Sequence, residues 1–242
     1  MTTTTEDVIA KTQMLAMDEN LEKEKANCEN GATAAQQETN GKAEEVAMEV
    51  EPNAGVSFPV KLDDGKQLNS VGLRKKSMLG IGIKIYGYGM YADNEKLLKD
   101  VLKSKIGKAP AKPTEELYKM AIDSDLGMTV RLVIVSSNLT MSMVRKFFDE
   151  GLGASIKKLS GEKKNDELAN KVMGQASDDI KLPAGSVIEI SRLPGHILET
   201  KVKDELVSRV ASELLCRAYI NVYLGDDPLA KEKFGTSMLS LF

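Results

Sequence analysis

The stretch that most constrains the fold is the apolar run "MTVRLVIVS", from Met128 to Ser136. It is long and rich in β-branched residues, so it predicts a strand. Further strand patterns lie on both sides of it, joined by short turns that contain Gly or Asp. These strands are predicted at Val56–Leu62, Leu68–Met78, Ile83–Tyr91, Ser186–Ser191, His196–Val202 and Glu205–Val210.

Helical patterns occupy the segments between these strands. Thr140 is the predicted N-cap of the helix that follows the apolar strand, and Thr114 is the predicted N-cap of an earlier one. The helices are predicted at Asn94–Ser104, Pro113–Ile122, Thr140–Leu159, Asn165–Ala176, Ala211–Tyr223 and from Pro228 toward Leu241. Because hairpins dominate, we expect an α+β fold with a mostly antiparallel sheet and helices packed on one face.

The first 54 residues differ in composition from the remainder. They carry 12 acidic residues and 4 lysines, and no aromatic residue precedes Phe58. Such a segment buries too little apolar surface to offset chain entropy, so residues 1–54 are predicted to be a disordered acidic tail, with one short helix considered around Ala10–Lys25. The folded domain is then 55–242, and it is only mildly basic, which argues against a nucleic-acid partner.

Cysteine usage and hydropathy bear on the compartment. The two cysteines, Cys28 and Cys216, fall in the tail and in a predicted helix, so no disulfide framework is expected. No run approaches a membrane span, and the acidic N-terminal segment is the reverse of a typical transit peptide. We therefore expect a cytosolic protein, and a monomer.

Most catalytic residue sets can be excluded. The single histidine, His196, lies in a Pro-Gly-His turn and is interpreted as structural. One histidine and one cysteine in the folded part make a zinc site or a Cys-His pair implausible. Phosphate-binding and hydrolase glycine motifs are absent, so we predict neither a metal nor a cofactor.

The hairpin "GLRKKSMLGIGIKIYGYGMYAD" carries the remaining candidate site. Alternation places Lys84, Tyr86, Tyr88 and Met90 on one face of its second strand. An odd-numbered loop around Gly80 would set Arg74 opposite Tyr86, whereas a two-residue turn would shift the register and separate them. Two glycines on the other face, Gly87 and Gly89, would allow a close approach to the backbone.

If Arg74 and Tyr86 face each other, a guanidinium and a phenol converge on one point. Together they can bind a carboxylate, and apolar helix residues such as Met143, Phe147 and Leu152 could close a cavity over an attached tail. Such a site would suit an amphiphilic acid. The alternative is a solvated basic hairpin, and the pattern alone favours it.

The same hairpin resembles that of the chalcone-isomerase-fold family, in which a Gly-x-Arg strand leads to a hydroxyl residue just before the second strand ends. Here these are Arg74 and Tyr86. The stretches "MTVRLVIV", "LPGHILETKV" and "LVSRVASELLCRAYINVYLGDDP" also resemble the family's central strand and its C-terminal strands and helix. The resemblance covers about 55–242 and implies an open-faced β-sandwich of chalcone-isomerase type.

Within that family the chain is most similar to the plant fatty-acid-binding branch, whose Tyr pairs with the Arg on a fatty-acid carboxylate, where true isomerases have Thr. The positions at which isomerases place a Tyr and an Asn fall on Met143 and Glu150, and a late hydroxyl position falls on Ser208. The resemblance thus implies a non-catalytic fatty-acid-binding protein, with ligand-binding positions at Arg74, Tyr86, Met143, Phe147, Glu150 and Ser208. Two alternatives remain, a chalcone-flavanone isomerase and a non-catalytic accessory protein of flavonoid synthesis. Family members of the fatty-acid type are plastid proteins, so the plastid stroma is the alternative location.

Overall fold

The computed structural model describes residues 46–242, apart from 79–80, 138, 162–165, 175 and 226–227. Most of the predicted tail, including Ala10–Lys25, lies outside the described residues. Its end does not match the prediction, because strand β1 (Met48–Glu51) pairs antiparallel with β2 (Val56–Pro59). The turn between them is held by the buried carboxylate of Glu51, which accepts bonds from the backbone N–H groups of Asn53 (3.0 Å) and Ala54 (2.7 Å). The folded part therefore begins before residue 55.

Eight further strands follow in the described chain. They are β3 (Gln67–Met78), β4 (Ile81–Ala92), β5 (Met128–Ile134), β6 (Leu139–Thr140), β7 (Lys181–Leu182), β8 (Val187–Leu193), β9 (Ile197–Val202) and β10 (Glu205–Ala211). Six of them form one sheet in the order β10-β9-β8-β5-β4-β3, and each neighbouring pair is antiparallel. The predicted apolar strand, now β5, lies in the interior of this sheet, which explains its nearly continuous hydrophobic sequence.

The described helices are α1 (Asn94–Lys96, extended by a π-helical segment, Leu97–Ile106), α2 (Glu115–Asp123), α3 (Met141–Ser160), α4 (Asp166–Asn170, followed by the 3-10 turn Lys171–Met173), α5 (Glu213–Leu224) and α6 (Pro228–Leu239). Both predicted N-caps are confirmed. Thr114 Oγ1 accepts from the N–H of Leu117 at 3.3 Å, and Thr140 Oγ1 accepts from the N–H of Met143 at 3.4 Å. Each cap satisfies one backbone donor that the first turn leaves without a partner.

The hydrophobic core lies between the sheet and the helices. From the sheet it takes residues such as Tyr88, Met90 and Leu132, and from α5 it takes most of the helix. The opposite face of the sheet is partly polar, as the ion pair between Arg131 and Glu189 at 2.7 Å illustrates. The predicted α+β class, with a mostly antiparallel sheet and a helical layer, is confirmed.

The β1–β2 hairpin covers part of that opposite face. A Cβ atom on Gly87 would lie 2.4 Å from Val56 Cγ2, and one on Gly89 would lie 2.8 Å from Phe58 Cδ1. Real Cβ atoms do not come this close, so the two glycines allow β2 to pack directly on β4. The close approach expected from the sequence is thus made by another part of the same chain.

Candidate ligand-binding site

Arg74 and Tyr86 are paired across β3 and β4, but not for the reason the sequence suggested. Met78 pairs with Ile81, so the two strands are only two residues apart in sequence, and pairing stays regular as far as Lys75 with Lys84. Ile85 is then bulged out, and Arg74 pairs with Tyr86. The expectation that a two-residue turn would separate them is wrong, since one extra residue on β4 restores the register.

The bulge also changes which residues share a face. Ile85 and Tyr86 are both buried and both line the cavity described below. Lys84 instead donates from Nζ to the carbonyl oxygen of Asn53 at 2.6 Å, in the β1–β2 turn on the other side of the sheet. The predicted sharing of one face by Lys84 and Tyr86 is therefore wrong, because alternation is interrupted at Ile85.

The paired residues open onto a cavity of about 130 Å³ between the β3–β4 hairpin and the helices α3 and α5. Its lining is charged at the exposed side and apolar or aromatic inside. The lining residues are Arg74, Lys75, Lys76, Ile85, Tyr86, Phe147, Phe148, Glu150, Gly151, Leu152, Val222 and Tyr223. Arg74 is exposed, whereas Tyr86 is only 7% exposed, so the pair marks the path from solvent to the interior.

An ion pair lies at the exposed side of this cavity. Lys76 Nζ lies 2.7 Å from Glu150 Oε2 on α3, and it lies 4.4 Å from the centre of the Phe147 ring. An ammonium placed over an aromatic face is attracted by the ring as well as by the carboxylate. Lys75 and Lys76 both line the cavity.

The inner wall is built from packed aromatic rings. Tyr223 lies 5.2 Å from Tyr88 and 5.6 Å from Tyr219, measured between ring centroids, and Tyr219 stacks on Phe148 at 6.2 Å. Gly72 makes room for this arrangement, because a Cβ atom there would lie 2.4 Å from Tyr88 Oη. The ring positions are thus fixed by contacts on several sides.

Two hydroxyl groups in this wall stand out. The phenol oxygens of Tyr219 and Tyr223 are buried, and they lie beside each other and beside the phenol of Tyr86, with no other hydrogen-bond partner among the described residues. Burial raises the pKa of Tyr223 well above its ordinary value, and the neighbouring phenols of Tyr219 and Tyr86 raise it further. Burial likewise raises the pKa of Tyr219. Both groups therefore stay protonated and can act as neutral hydrogen-bond donors.

Residues 47–240 match the family model described as chalcone isomerase-like. The chain belongs to the chalcone isomerase-like family. It is 63% identical over 201 residues to "Chalcone isomerase-like protein 1" of Humulus lupulus. This alignment covers 81% of this chain and 94% of that protein. It is 36% identical over 199 residues to "Fatty-acid-binding protein 1" of Arabidopsis thaliana, and that alignment covers 79% of this chain and 71% of the relative.

A solved structure agrees with the sequence relatives. The crystal structure of an Arabidopsis thaliana fatty-acid binding protein superposes with a TM-score of 0.73 at 35% identity, covering 81% of this chain and 98% of that one. These relatives confirm both the resemblance and the fatty-acid-binding branch. In the described part of this chalcone isomerase-like chain, no helix is long and apolar enough to cross a membrane.

The structure brings together four of the six predicted ligand-binding positions: Arg74, Tyr86, Phe147 and Glu150. Met143 lies one turn before Phe147 on α3, packs against the core and does not line the cavity. Ser208 lies on β10, at the opposite edge of the sheet from β3, and donates to the carbonyl oxygen of Lys171 at 2.6 Å. Sequence reasoning missed Tyr223, although two tyrosines four residues apart on an apolar helix are a visible signal.

Proposed function

We propose that this chalcone isomerase-like protein binds fatty acids and takes part in their metabolism or storage. The carboxylate lies on Arg74 and Tyr86, and the first part of the acyl chain lies in the cavity beneath them. The observation that carries this proposal is the cross-strand pairing of Arg74 with Tyr86 at the charged side of an otherwise apolar cavity.

The chemistry of the two groups supports a carboxylate. A guanidinium donates two parallel N–H bonds to the two oxygens of a carboxylate, and a phenol can add a third. Below them, Phe148, Leu152 and Val222 offer apolar contacts to methylene groups. An amphiphilic acid satisfies both parts of this lining at once.

The size of the cavity limits how much of a chain it encloses. A protein cavity of roughly 150 Å³ holds one benzene molecule, so about 130 Å³ holds a head group and only the first few carbons. A longer chain needs additional space, and the side chains at the mouth, Phe147 and the Lys76–Glu150 bridge, are the groups that can move to provide it. Any long-chain acid, laurate included, therefore extends beyond the space that the cavity encloses.

A second candidate ligand is a chalcone, bound by an isomerase or by an accessory protein of flavonoid synthesis. The aromatic lining from Tyr86, Phe147, Phe148 and Tyr223 favours it, since flat rings stack well on such walls. Catalysis is less well supported, because Met143 lies outside the lining and Glu150 is an ion-paired carboxylate instead of an amide donor. Chalcone decay followed by absorbance tests this candidate, and a rate equal to that in buffer would remove the isomerase.

Native mass spectrometry tests the proposed function. Protein purified from cells should carry fatty acids that appear as mass additions and are identified after lipid extraction. The Arg74→Ala variant should lose these additions. A spectrum of ligand-free wild-type protein that does not change when laurate is added would contradict the proposal.

A further inference from the structure

Tyr223, on α5, is a candidate third donor for the ligand's head group. We propose that its hydroxyl binds the same carboxylate as Arg74 and Tyr86. This inference rests on the proposed function, since it adds a donor to the site that holds the acid. Nothing in the hairpin pattern pointed to it, because Tyr223 comes from the opposite wall of the cavity.

The position of Tyr223 is the first support. Its side chain lines the cavity, it is only 2% exposed, and its phenol is a neighbour of the Tyr86 phenol. The carboxylate proposed to lie on Tyr86 would therefore come within reach of Tyr223 as well. Residues from β4 and from α5 would then hold the head group between sheet and helix.

The surroundings of the hydroxyl are the second support. Tyr223 Oη is buried, and the hydrogen-bonding groups near it are the phenols of Tyr86 and Tyr219. Three phenols that bond to one another in an open chain leave one O–H group without an acceptor. A buried polar group without a partner destabilises the folded state, so such groups are usually paired in native proteins. A bound carboxylate would accept a hydrogen bond from this cluster of phenols, to which Tyr223 belongs.

The number of donors is the third support. A carboxylate offers about four lone-pair positions to hydrogen-bond donors. Arg74 can fill two of them and Tyr86 one, which leaves one for Tyr223. An alcohol or an ester offers fewer acceptor positions, so a set of four donors selects the acid.

Preorganisation is the fourth support. The Tyr223 ring is held by Tyr88 at 5.2 Å and by Tyr219 at 5.6 Å, measured between ring centroids. Because these contacts restrict the ring before a ligand arrives, little rotational freedom is lost on binding. The hydroxyl is then a fixed feature of the site.

Calorimetric titration of the full-length protein with laurate and with dodecan-1-ol tests the proposal. Tyr223→Phe should bind laurate roughly tenfold to a hundredfold more weakly than wild type, as expected for a hydrogen bond to a charged group. The affinity for dodecan-1-ol should fall less, so the preference for the acid narrows. Tyr118→Phe is the matched control, because it also removes one phenol oxygen but does not line the cavity, and it should leave both affinities unchanged.

Thermal unfolding of the ligand-free variant separates ligand binding from a structural role. Tyr223→Phe removes a buried hydroxyl whose neighbours are other phenols, so the Tm of the variant should stay close to that of wild type. A lower Tm, or laurate affinity equal to that of wild type, would overturn the inference while leaving the Arg74–Tyr86 clamp in place. Absence of laurate binding to the wild-type protein would remove the proposed function, and this inference with it.

Discussion

Arg74 faces Tyr86 because Ile85 is bulged out of the β3–β4 ladder. The carbonyl oxygen of Ile85 accepts backbone bonds from Val135 at 3.0 Å and Ser136 at 3.3 Å, which ties the bulge to the chain just after β5. Without the extra residue, Arg74 would face Ile85, and Tyr86 would lie on the other side of the sheet. A single irregularity therefore places the two groups proposed to bind the ligand.

Gly72 leaves space for the Tyr88 ring behind the cavity wall, and replacing it should lower both the free energy of unfolding and the affinity for laurate. In Gly72→Ala the new methyl group meets Tyr88, whose ring packs on Tyr223. Overpacking of this kind costs about 1–3 kcal/mol of the free energy of unfolding. Chemical denaturation and laurate titration measure the two effects. Gly82→Ala, on the neighbouring strand, is the control. A Cβ atom there has no atom of the described residues within 4 Å, so neither stability nor laurate affinity should change much.

Replacing either residue of the Lys76–Glu150 ion pair should change the affinity for laurate, and the two replacements should change it in opposite directions. Glu150→Gln removes a negative charge beside the carboxylate site, so laurate should bind a few-fold more tightly. Lys76→Met leaves Glu150 without its partner, so laurate should bind a few-fold more weakly. These few-fold changes in laurate affinity correspond to the roughly 0.2–1 kcal/mol that exposed ion pairs typically contribute.

Salt and a second ion pair provide the checks on that result. Both changes in laurate affinity should shrink as ionic strength rises, because added ions screen exposed charges. Glu115→Gln is the matched control, since Lys231 lies 2.7 Å from Glu115 and 4.9 Å from the centre of the Tyr118 ring. Equal effects of Glu150→Gln and Glu115→Gln on affinity would show that the bridge at the cavity is irrelevant to binding.

Much of the fold could be predicted because its signals are local. The β-branched run of β5 and the caps at Thr114 and Thr140 each carry their own physical cause within a few residues. Strand β1 was missed because its acidic sequence resembles the tail before it. What orders it is the burial of Glu51 by turn N–H groups and the packing of Phe58 on Gly89, and both depend on the folded structure.

The site could be predicted only in part, for a similar reason. The Arg74–Tyr86 pair was proposed from spacing and family resemblance, but the bulge that aligns it depends on hydrogen bonds to the chain after β5. The contact between Lys76 and Glu150 was not predicted, because the two residues are distant in sequence. Tyr223 was missed because an isolated helix does not show which face will border a cavity.

Cys216 should be unreactive in the folded protein. It is fully buried, and burial raises the pKa of its thiol to about 11, so little thiolate forms at neutral pH. In a Cys28→Ser variant, a thiol reagent at pH 8 should label no cysteine until denaturant unfolds the chain. Rapid labelling under native conditions would contradict this burial.

The same thiol should make stability depend on pH in the alkaline range. Its pKa is raised in the folded state, so the unfolded chain ionises first as pH rises from about 9 toward 11. The free energy of unfolding should therefore fall over that range, and denaturant titrations at successive pH values measure it. In Cys216→Ala this part of the decrease should be absent. The loss of the buried sulfur also changes the free energy of unfolding, but by a similar amount at every pH.

The most direct test of the carboxylate clamp is a calorimetric titration of laurate into wild type, Arg74→Ala and Arg209→Ala. Arg209 is the matched control, because it is an exposed arginine on β10, at the far edge of the sheet, and pairs with Glu199 at 3.5 Å. We expect Arg74→Ala to weaken laurate binding by roughly a hundredfold or more, as for loss of a charged two-bond contact, and Arg209→Ala to leave it unchanged. Equal laurate affinities for all three proteins would contradict the claim that Arg74 holds the ligand.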